Sequence, residues 1–391
     1  MPYAPPVGNL STLLDGIFRL HGALPRALVP TGHALPPVHL FIEVTYACNL
    51  RCNFCQYLDI IEGTAEHVGP AGKDLTMQEI MALVDQMPAG TLISFSGGEA
   101  LMRKDFGIIL EHASRRHRTH VISNGALIND QIAEQWNRLA PQNTWNNGYV
   151  LSCVSLEGDE ATHDQIVGRP GSWKRSTDGV RRVTGIRAKL GKTFPKVNLK
   201  LVVTKDNFEG LVDFVDLAAS LGANIVNFMA EHDLVSHSGT LKESDPGDRI
   251  DIPQTPPEGV DRERMRANLI AAHVRAEEAG LEIRLTPVVP IDEFVRHYGS
   301  IEERRLDASE YECGSAWSRM AAGADGRWSP TCFYLREGDT RTQSLSDAWN
   351  SEASRNLRKR IRAHKVFAGC NGCCNLRYKG PLAMGLAGTE S

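Results

Sequence analysis

"HLFIEVTYACNLRCNFCQ", residues 39–56, begins as a strand-like run and passes directly into three cysteines. Cys48, Cys52 and Cys55 fall within eight positions. Thiols at that spacing read as metal ligands, yet three is one short of the four that a structural zinc or a cubane cluster takes. What fills the fourth corner decides both fold and function.

The chain has 391 residues, room for two domains or for one large α/β domain with an appendage. Apolar residues make up 42 % and charged residues 23 %, the mix of a soluble globular protein. A net charge of −4 argues against a basic face for nucleic acid. No apolar run reaches the roughly 20 residues of a membrane span. The opening "MPYAPPVGNLSTLLDGIFRLHG" has no basic leader, and Asp15, Arg19 and His21 interrupt its apolar stretch, so it is no secretory signal. It reads as a short amphipathic helix with Leu10, Leu13, Leu14, Ile17 and Phe18 on one side, packed on the body of the protein rather than on lipid. A cytoplasmic protein is expected, and its nine cysteines are then ligands before they are disulfides. They form two groups, Cys48, Cys52 and Cys55, then Cys313, Cys332, Cys370, Cys373 and Cys374. Cys153 stands alone in an apolar strand and reads as a small buried hydrophobe.

Between the groups, strand-like runs at 39–46, 91–95, 120–123, 149–156, 197–204 and 224–230 alternate with helical patterns. "LTMQEIMALVDQM" has Thr76 as N-cap and Glu79 completing a capping box, with Met77, Ile80, Leu83, Val84 and Met87 on one face. "DNFEGLVDFVDLAASLG" is a helix starting at Asp206 or Asn207 and stopping at Gly222. Six such units make a parallel sheet, either doubly wound or a partial barrel, with chemistry at the carboxyl ends of the strands. Polar and glycine motifs sit at four consecutive ends: the cysteines, "SGGEA" (96–100), "SNGA" (123–126) and "SLEG" (155–158). Each alone is an ordinary turn. Four on one rim make a site.

Three thiolates from one loop can hold three irons of a 4Fe–4S cube and leave the fourth open to an amino-carboxylate chelate. Gly97 and Gly98 permit close backbone approach, and Glu99 can take the chelate's ammonium. The other reading is a three-cysteine zinc site completed by a distant histidine, the nearest later one being His67.

With these motifs in this order, the chain resembles the radical S-adenosylmethionine (SAM) superfamily over residues 39 to about 230. The resemblance implies a partial (β/α)6 TIM-type barrel with a small C-terminal iron–sulfur domain. It further implies reductive cleavage of SAM, bound to the open iron of the 4Fe–4S cluster, to a 5′-deoxyadenosyl radical. By position, Cys48, Cys52 and Cys55 hold the cluster and Phe54 packs near the adenine. Gly97, Gly98 and Glu99 meet the methionyl group, and Ser123, Asn124 and Ser155 are ribose or carboxylate partners. The family's arginine before a glycine is absent from "THDQIVGRPGSW", where Val167 stands, and Arg169 is the substitute. The second cysteine group resembles the SPASM/twitch appendage, which binds auxiliary 4Fe–4S clusters. Five cysteines suffice for one such cluster, held by Cys313, Cys332, Cys370 and Cys373, with Cys374 as alternative to Cys373. Taken alone, this half would also read as a zinc ribbon. A low-potential donor such as flavodoxin or ferredoxin is the implied electron source.

The expected division is an N-terminal extension (1–37), the radical SAM core (38–232), a linker or lid with a helix at about 260–279 and a strand at 281–286 (233–305), and the appendage (306–391). Within the appendage a hairpin through "AAGADGRWSPTC" precedes one helix through "SLSDAWNSEASRNLRKRI". Glu231 and His232, ending strand six, are candidate substrate contacts. About 38 residues precede strand one, too few for a leader-peptide-binding domain, which favours a small biosynthetic intermediate over a peptide. A peptide maturase and a non-catalytic two-cluster electron carrier are the alternatives.

Overall fold

A computed structural model of the chain describes residues 21–55, 57–62, 73–232, 255–330 and 338–379. The amphipathic stretch expected around 10–18, most of the polar segment 233–259, and Cys332 lie outside the described residues. Seven strands, β1 (His39–Glu43), β2 (Leu92–Ser96), β3 (Arg118–Ser123), β4 (Gly148–Ser155), β5 (Lys196–Val203), β6 (Ile225–Ala230) and β7 (Glu282–Thr286), pair in sequence order, every pair parallel. Parallel neighbours require a crossover, and helices such as Met77–Asp85, Phe106–Arg116 and Leu211–Ser220 supply it. The sheet order ends at β7 and does not close, giving the partial barrel expected of the motifs.

Local chemistry explains the elements. Thr76 caps its helix with the expected box: its hydroxyl accepts from the Glu79 amide while Glu79 reaches back to the Thr76 amide. On one face of the sheet Leu40, Ile42, Ile93, Phe95, Leu199 and Leu201 are buried beneath the helices. Each large side chain so buried stabilises the fold by about 1.5–3 kcal/mol. The alternate positions of the same strands point to the concave face and include His39, Ser94, His120 and Lys200.

Three expectations change. Asn207 does not start a helix; its side chain accepts from the Thr204 amide and donates to the Glu157 and Val202 carbonyls, tying the ends of β4 and β5. The α-helix therefore begins at Leu211, after a 3-10 turn over Phe208–Gly210. The single helix over "SLSDAWNSEASRNLRKRI" is two, Leu345–Trp349 and Glu352–His364, because Ser351 caps the second by accepting from the Ser354 amide. The hairpin of β9 (Arg319–Ala322) and β10 (Trp328–Ser329) is also no separate appendage. β9 pairs in parallel with β1, so the hairpin extends the core sheet. Only β8 (Tyr311–Cys313) and β11 (Leu376–Tyr378) form a second, two-stranded sheet among the described residues.

Candidate active site

The loop after β1 is held on three sides. On the β2 side, the Gly98 amide donates to the Thr45 carbonyl at 2.7 Å and the Glu99 amide to the Ala47 carbonyl at 2.8 Å. A Cβ on Gly97 would lie 2.2 Å from the Thr45 oxygen, and one on Gly98 2.3 Å from the Ala47 oxygen. The close approach that these glycines allow is thus to the chain entering the cysteine loop. On the β3 side, Asn124 Nδ2 donates to Asn49 Oδ1 at 2.8 Å. On the third side, Arg51 and Asn53 amides donate to the Val167 and Ile166 carbonyls, and Arg169 Nη1 to the Asn49 carbonyl at 2.7 Å. Arg169 is exposed and braces the loop through this contact.

Cys48, Cys52 and Cys55 are half-buried and within electrostatic reach of one another. Burial raises all three thiols, Cys48 to about 11, opposed for Cys48 and Cys55 by Arg51. Such a trio becomes thiolate only when positive charge arrives, which a bound metal supplies. No group of three or more His, Cys, Asp or Glu among the described residues could hold a single metal ion. A cube asks for a different arrangement, one thiolate per iron, and a loop with three mutually interacting thiols fits it. Phe54 sits half-buried between the second and third cysteines.

Glu99, Ser123 and Asn124 form one network. The Glu99 carboxylate is 1 % exposed and accepts from Ser123 Oγ at 2.9 Å, the Asn124 amide at 2.7 Å and the Leu101 amide at 3.0 Å. Burial nonetheless lifts its pKa above the ordinary range, against the pull of those donors. A buried carboxylate with amide and hydroxyl partners is suited to a cation such as an ammonium group. Ser155 closes β4 on the concave face, half-buried. Two residues on, Glu157 is the acid that reading the motif overlooked, although "SLEG" contains it. It is 2 % exposed, accepts from the Val202 amide at 2.9 Å, and is pushed up to about 7 by burial. Cys52 and Lys200 lie within its electrostatic reach.

In the C-terminal part, β8 pairs with β11 so that Cys313 opposes Leu376, next to the Cys370–Cys374 turn. The Cys373 amide donates to the Cys370 carbonyl, and both side chains pack against the main core, while Cys313 and Cys370 also meet the cluster around Trp317, Leu357 and Phe367. The Cys374 thiol is hydrogen-bonded to that of Cys373 and to Arg319, and lies within electrostatic reach of Lys200. Glu231 and His232 lie beside this turn. The Glu231 amide donates to Tyr298 Oη at 3.0 Å, His297 Nε2 lies 2.6 Å from the Glu231 carbonyl, and a Cβ on Gly372 would come 3.1 Å from the His232 ring. Their contacts tie β6 to the second cysteine group.

Residues 42–218 match the model of the radical SAM superfamily, and residues 313–374 match SPASM, an iron–sulfur cluster-binding domain. Among curated proteins, the AdoMet-dependent heme synthase of Nitratidesulfovibrio vulgaris is 29 % identical over 46 % of this chain and 44 % of its own length. The sporulation killing factor maturation protein SkfB of Bacillus subtilis is 26 % identical over 54 % of this chain and 45 % of its own. The mycofactocin maturase MftC of Mycobacterium ulcerans is 28 % identical over 52 % and 50 %. The chain thus spans about half the length of the curated relatives it matches. Among solved structures, Streptococcus suis SuiB bound to precursor peptide SuiA superposes with a TM-score of 0.58 at 16 % identity, over 90 % of this chain and 73 % of that one. The anSMEcpe structure with bound AdoMet gives 0.55 at 15 % identity over 86 % of both, and these two likenesses establish the fold. No described helix is long and apolar enough to cross a membrane.

Proposed function

We propose that this chain, whose residues 42–218 match the radical SAM superfamily and whose residues 313–374 match the SPASM domain, is an enzyme that binds 4Fe–4S clusters and SAM and abstracts hydrogen from a substrate held inside its partial barrel. When bound, the cluster and SAM supply an electron and a 5′-deoxyadenosyl radical. The chain's own residues do the rest. Cys48, Cys52 and Cys55 hold the cluster on a loop fixed by Gly97, Gly98 and Asn124. Glu99 receives the methionyl ammonium. Ser155 and Phe54 line the nucleoside, and Cys313, Cys332, Cys370 and Cys373 hold one auxiliary cluster. The observation that carries this reading is the buried Glu99 network joined to the braced cysteine loop at the carboxyl ends of β1–β3.

The maturases SkfB and MftC among the relatives favour a peptide substrate, while the heme synthase favours a small molecule. Net oxidation or rearrangement assisted by the auxiliary cluster, with an external low-potential donor, fits both. Anaerobic incubation of the reduced, cluster-loaded protein with SAM and a perdeuterated cell extract tests the proposal. Deuterium entering 5′-deoxyadenosine supports hydrogen abstraction from an extract component; 5′-deoxyadenosine that stays unlabelled with every extract fraction contradicts it.

A further inference from the structure

The concave face of the sheet is built of polar side chains whose partners are incomplete. His39 Nε2 and Ser94 Oγ lie 2.9 Å apart, and Ser94 Oγ and His120 Nδ1 3.1 Å apart, so a hydrogen-bonded chain crosses β1, β2 and β3. Its far end, His120 Nε2, is buried without a partner. So is Asn198 Oδ1 on β5, a residue 4 % exposed whose strand neighbour across the pair is Cys153. So is Arg319 Nε on β9, although its Nη1 donates to Asn375 and its guanidinium rests 4.8 Å from the Phe41 ring centroid. Three orphaned polar atoms from three strands face one interior. Polar atoms left this way are costly unless something arrives to satisfy them.

The charge of that interior is positive. Lys200 on β5, Arg284 on β7 and Arg319 all act electrostatically on His120, so cations from three strands converge on one imidazole; burial first, and then they, push it down to about 3. The histidines therefore add no compensating charge and no further positive charge near neutral pH. Arg284 is paired with Glu282 at 2.6 Å. Among the described residues no carboxylate ion pair is seen for Lys200 or Arg319, and the Arg319 side chain is hydrogen-bonded to Cys374. Lys200 acts electrostatically on Glu157, a buried acid that burial pushes up to about 7. In register, Lys200 lies opposite Ser155 at the carboxyl end of β4. It sits at the strand ends that form the rim, within electrostatic reach of Cys374.

We infer that this chamber takes its substrate by a carboxylate, bound between Lys200 and Arg319, with Asn198 and His120 positioning the groups beside it. Carboxylate and guanidinium or ammonium are matched in charge and in hydrogen bonding. Anchoring there holds the rest of the substrate against the rim where hydrogen is abstracted. The inference rests on the proposed activity for its meaning, but not for its test, because binding needs no turnover. A free acid of this kind is carried both by a peptide terminus or acidic side chain and by a small organic acid.

The experiment uses fluorine NMR of 4-fluorobenzoate and its neutral isostere 4-fluorobenzamide with the cluster-loaded full chain. The acid should bind about tenfold or more tightly than the amide, as expected when charge-assisted hydrogen bonds are present in one and absent in the other. Lys200→Met should weaken 4-fluorobenzoate about tenfold at unchanged iron content, and Lys200→Arg should restore it. Should Lys200→Met fail to fold, the isosteric Asn198→Asp, which adds a negative charge to the chamber, should weaken the acid and spare the amide. Displacement of the fluorine signal by N-acetyl-trialanine, and not by its C-terminal amide, assigns a peptide carboxylate; displacement by succinate alone assigns a small acid. Equal binding of acid and amide, or an acid affinity unchanged in Lys200→Met, overturns the inference. Absence of 5′-deoxyadenosine from the wild type would instead strike the proposed activity and leave the binding result standing.

Discussion

Replacing Gly98 with alanine should dislodge the cysteine loop. The new Cβ would lie 2.3 Å from the Ala47 oxygen and 2.6 Å from the Tyr46 oxygen, both backbone atoms that no side-chain rotation can move aside. Real Cβ atoms keep at least 3.0 Å from such neighbours, so the loop must retreat by about 0.7 Å. That displacement falls on the amides of Gly98 and Glu99, which donate to Thr45 and Ala47 at 2.7 and 2.8 Å. Losing two such bonds costs about 1–3 kcal/mol. Residual strain in a packed site adds about 1–3 kcal/mol. A total of about 2–6 kcal/mol is a sizeable share of the roughly 5–15 kcal/mol that holds a typical domain together. Urea unfolding of the cluster-loaded protein measures the loss, and iron analysis reports whether the first cluster survives it. Full stability together with full iron in Gly98→Ala would refute the view that these glycines exist to let β2 meet the cysteine loop.

Glu99→Gln should weaken SAM binding about tenfold, measured by equilibrium dialysis, while iron stays at the wild-type level, because the amide keeps the shape but not the charge. Glu157 is raised from 4.5 to about 7, so the folded state holds its proton more tightly than the unfolded one. Its contribution is therefore greatest below pH 4.5 and declines as pH rises to about 7, by up to about 3 kcal/mol. The stability difference between Glu157→Gln and wild type in urea titrations from pH 5.5 to 8 should grow in the variant's favour as pH rises; a flat difference contradicts this. Cys373→Ala should lose about four irons per chain, one cube, whereas Cys374→Ala should keep them. Equal iron in the two variants would show that the adjacent thiols can exchange roles.

Much of this architecture was legible because its signals are local. The alternation of strand runs with capped helices located all six expected strands, to within a few residues of those observed, and the capping box at Thr76 was readable residue by residue. Motifs that end strands on one rim were likewise visible, since in a parallel sheet every strand's carboxyl end points the same way. What was hidden depends on distant partners. Asn207 looks like an N-cap until Glu157 and Val202 are seen to occupy its amide. The hairpin after Cys313 looks like part of an appendage until β9 is seen beside β1, 276 or more positions earlier in the chain. Gly97 and Gly98 suggested approach to a ligand, and their nearest neighbours proved to be the chain's own carbonyls. Lys200 drew no notice in "VNLKLVVT", because only register across β4 and β5 puts it opposite Ser155.

The central claim is that the Cys48–Cys52–Cys55 loop carries a cluster that splits SAM. Reconstituted, dithionite-reduced protein should be incubated anaerobically with SAM, and 5′-deoxyadenosine quantified by chromatography, for wild type beside Cys52→Ala. Steady formation by wild type and none by Cys52→Ala is the expected result, since the cube loses one of its three thiolates. Formation by Cys52→Ala at the wild-type rate, or none by wild type with its full complement of iron, would contradict it.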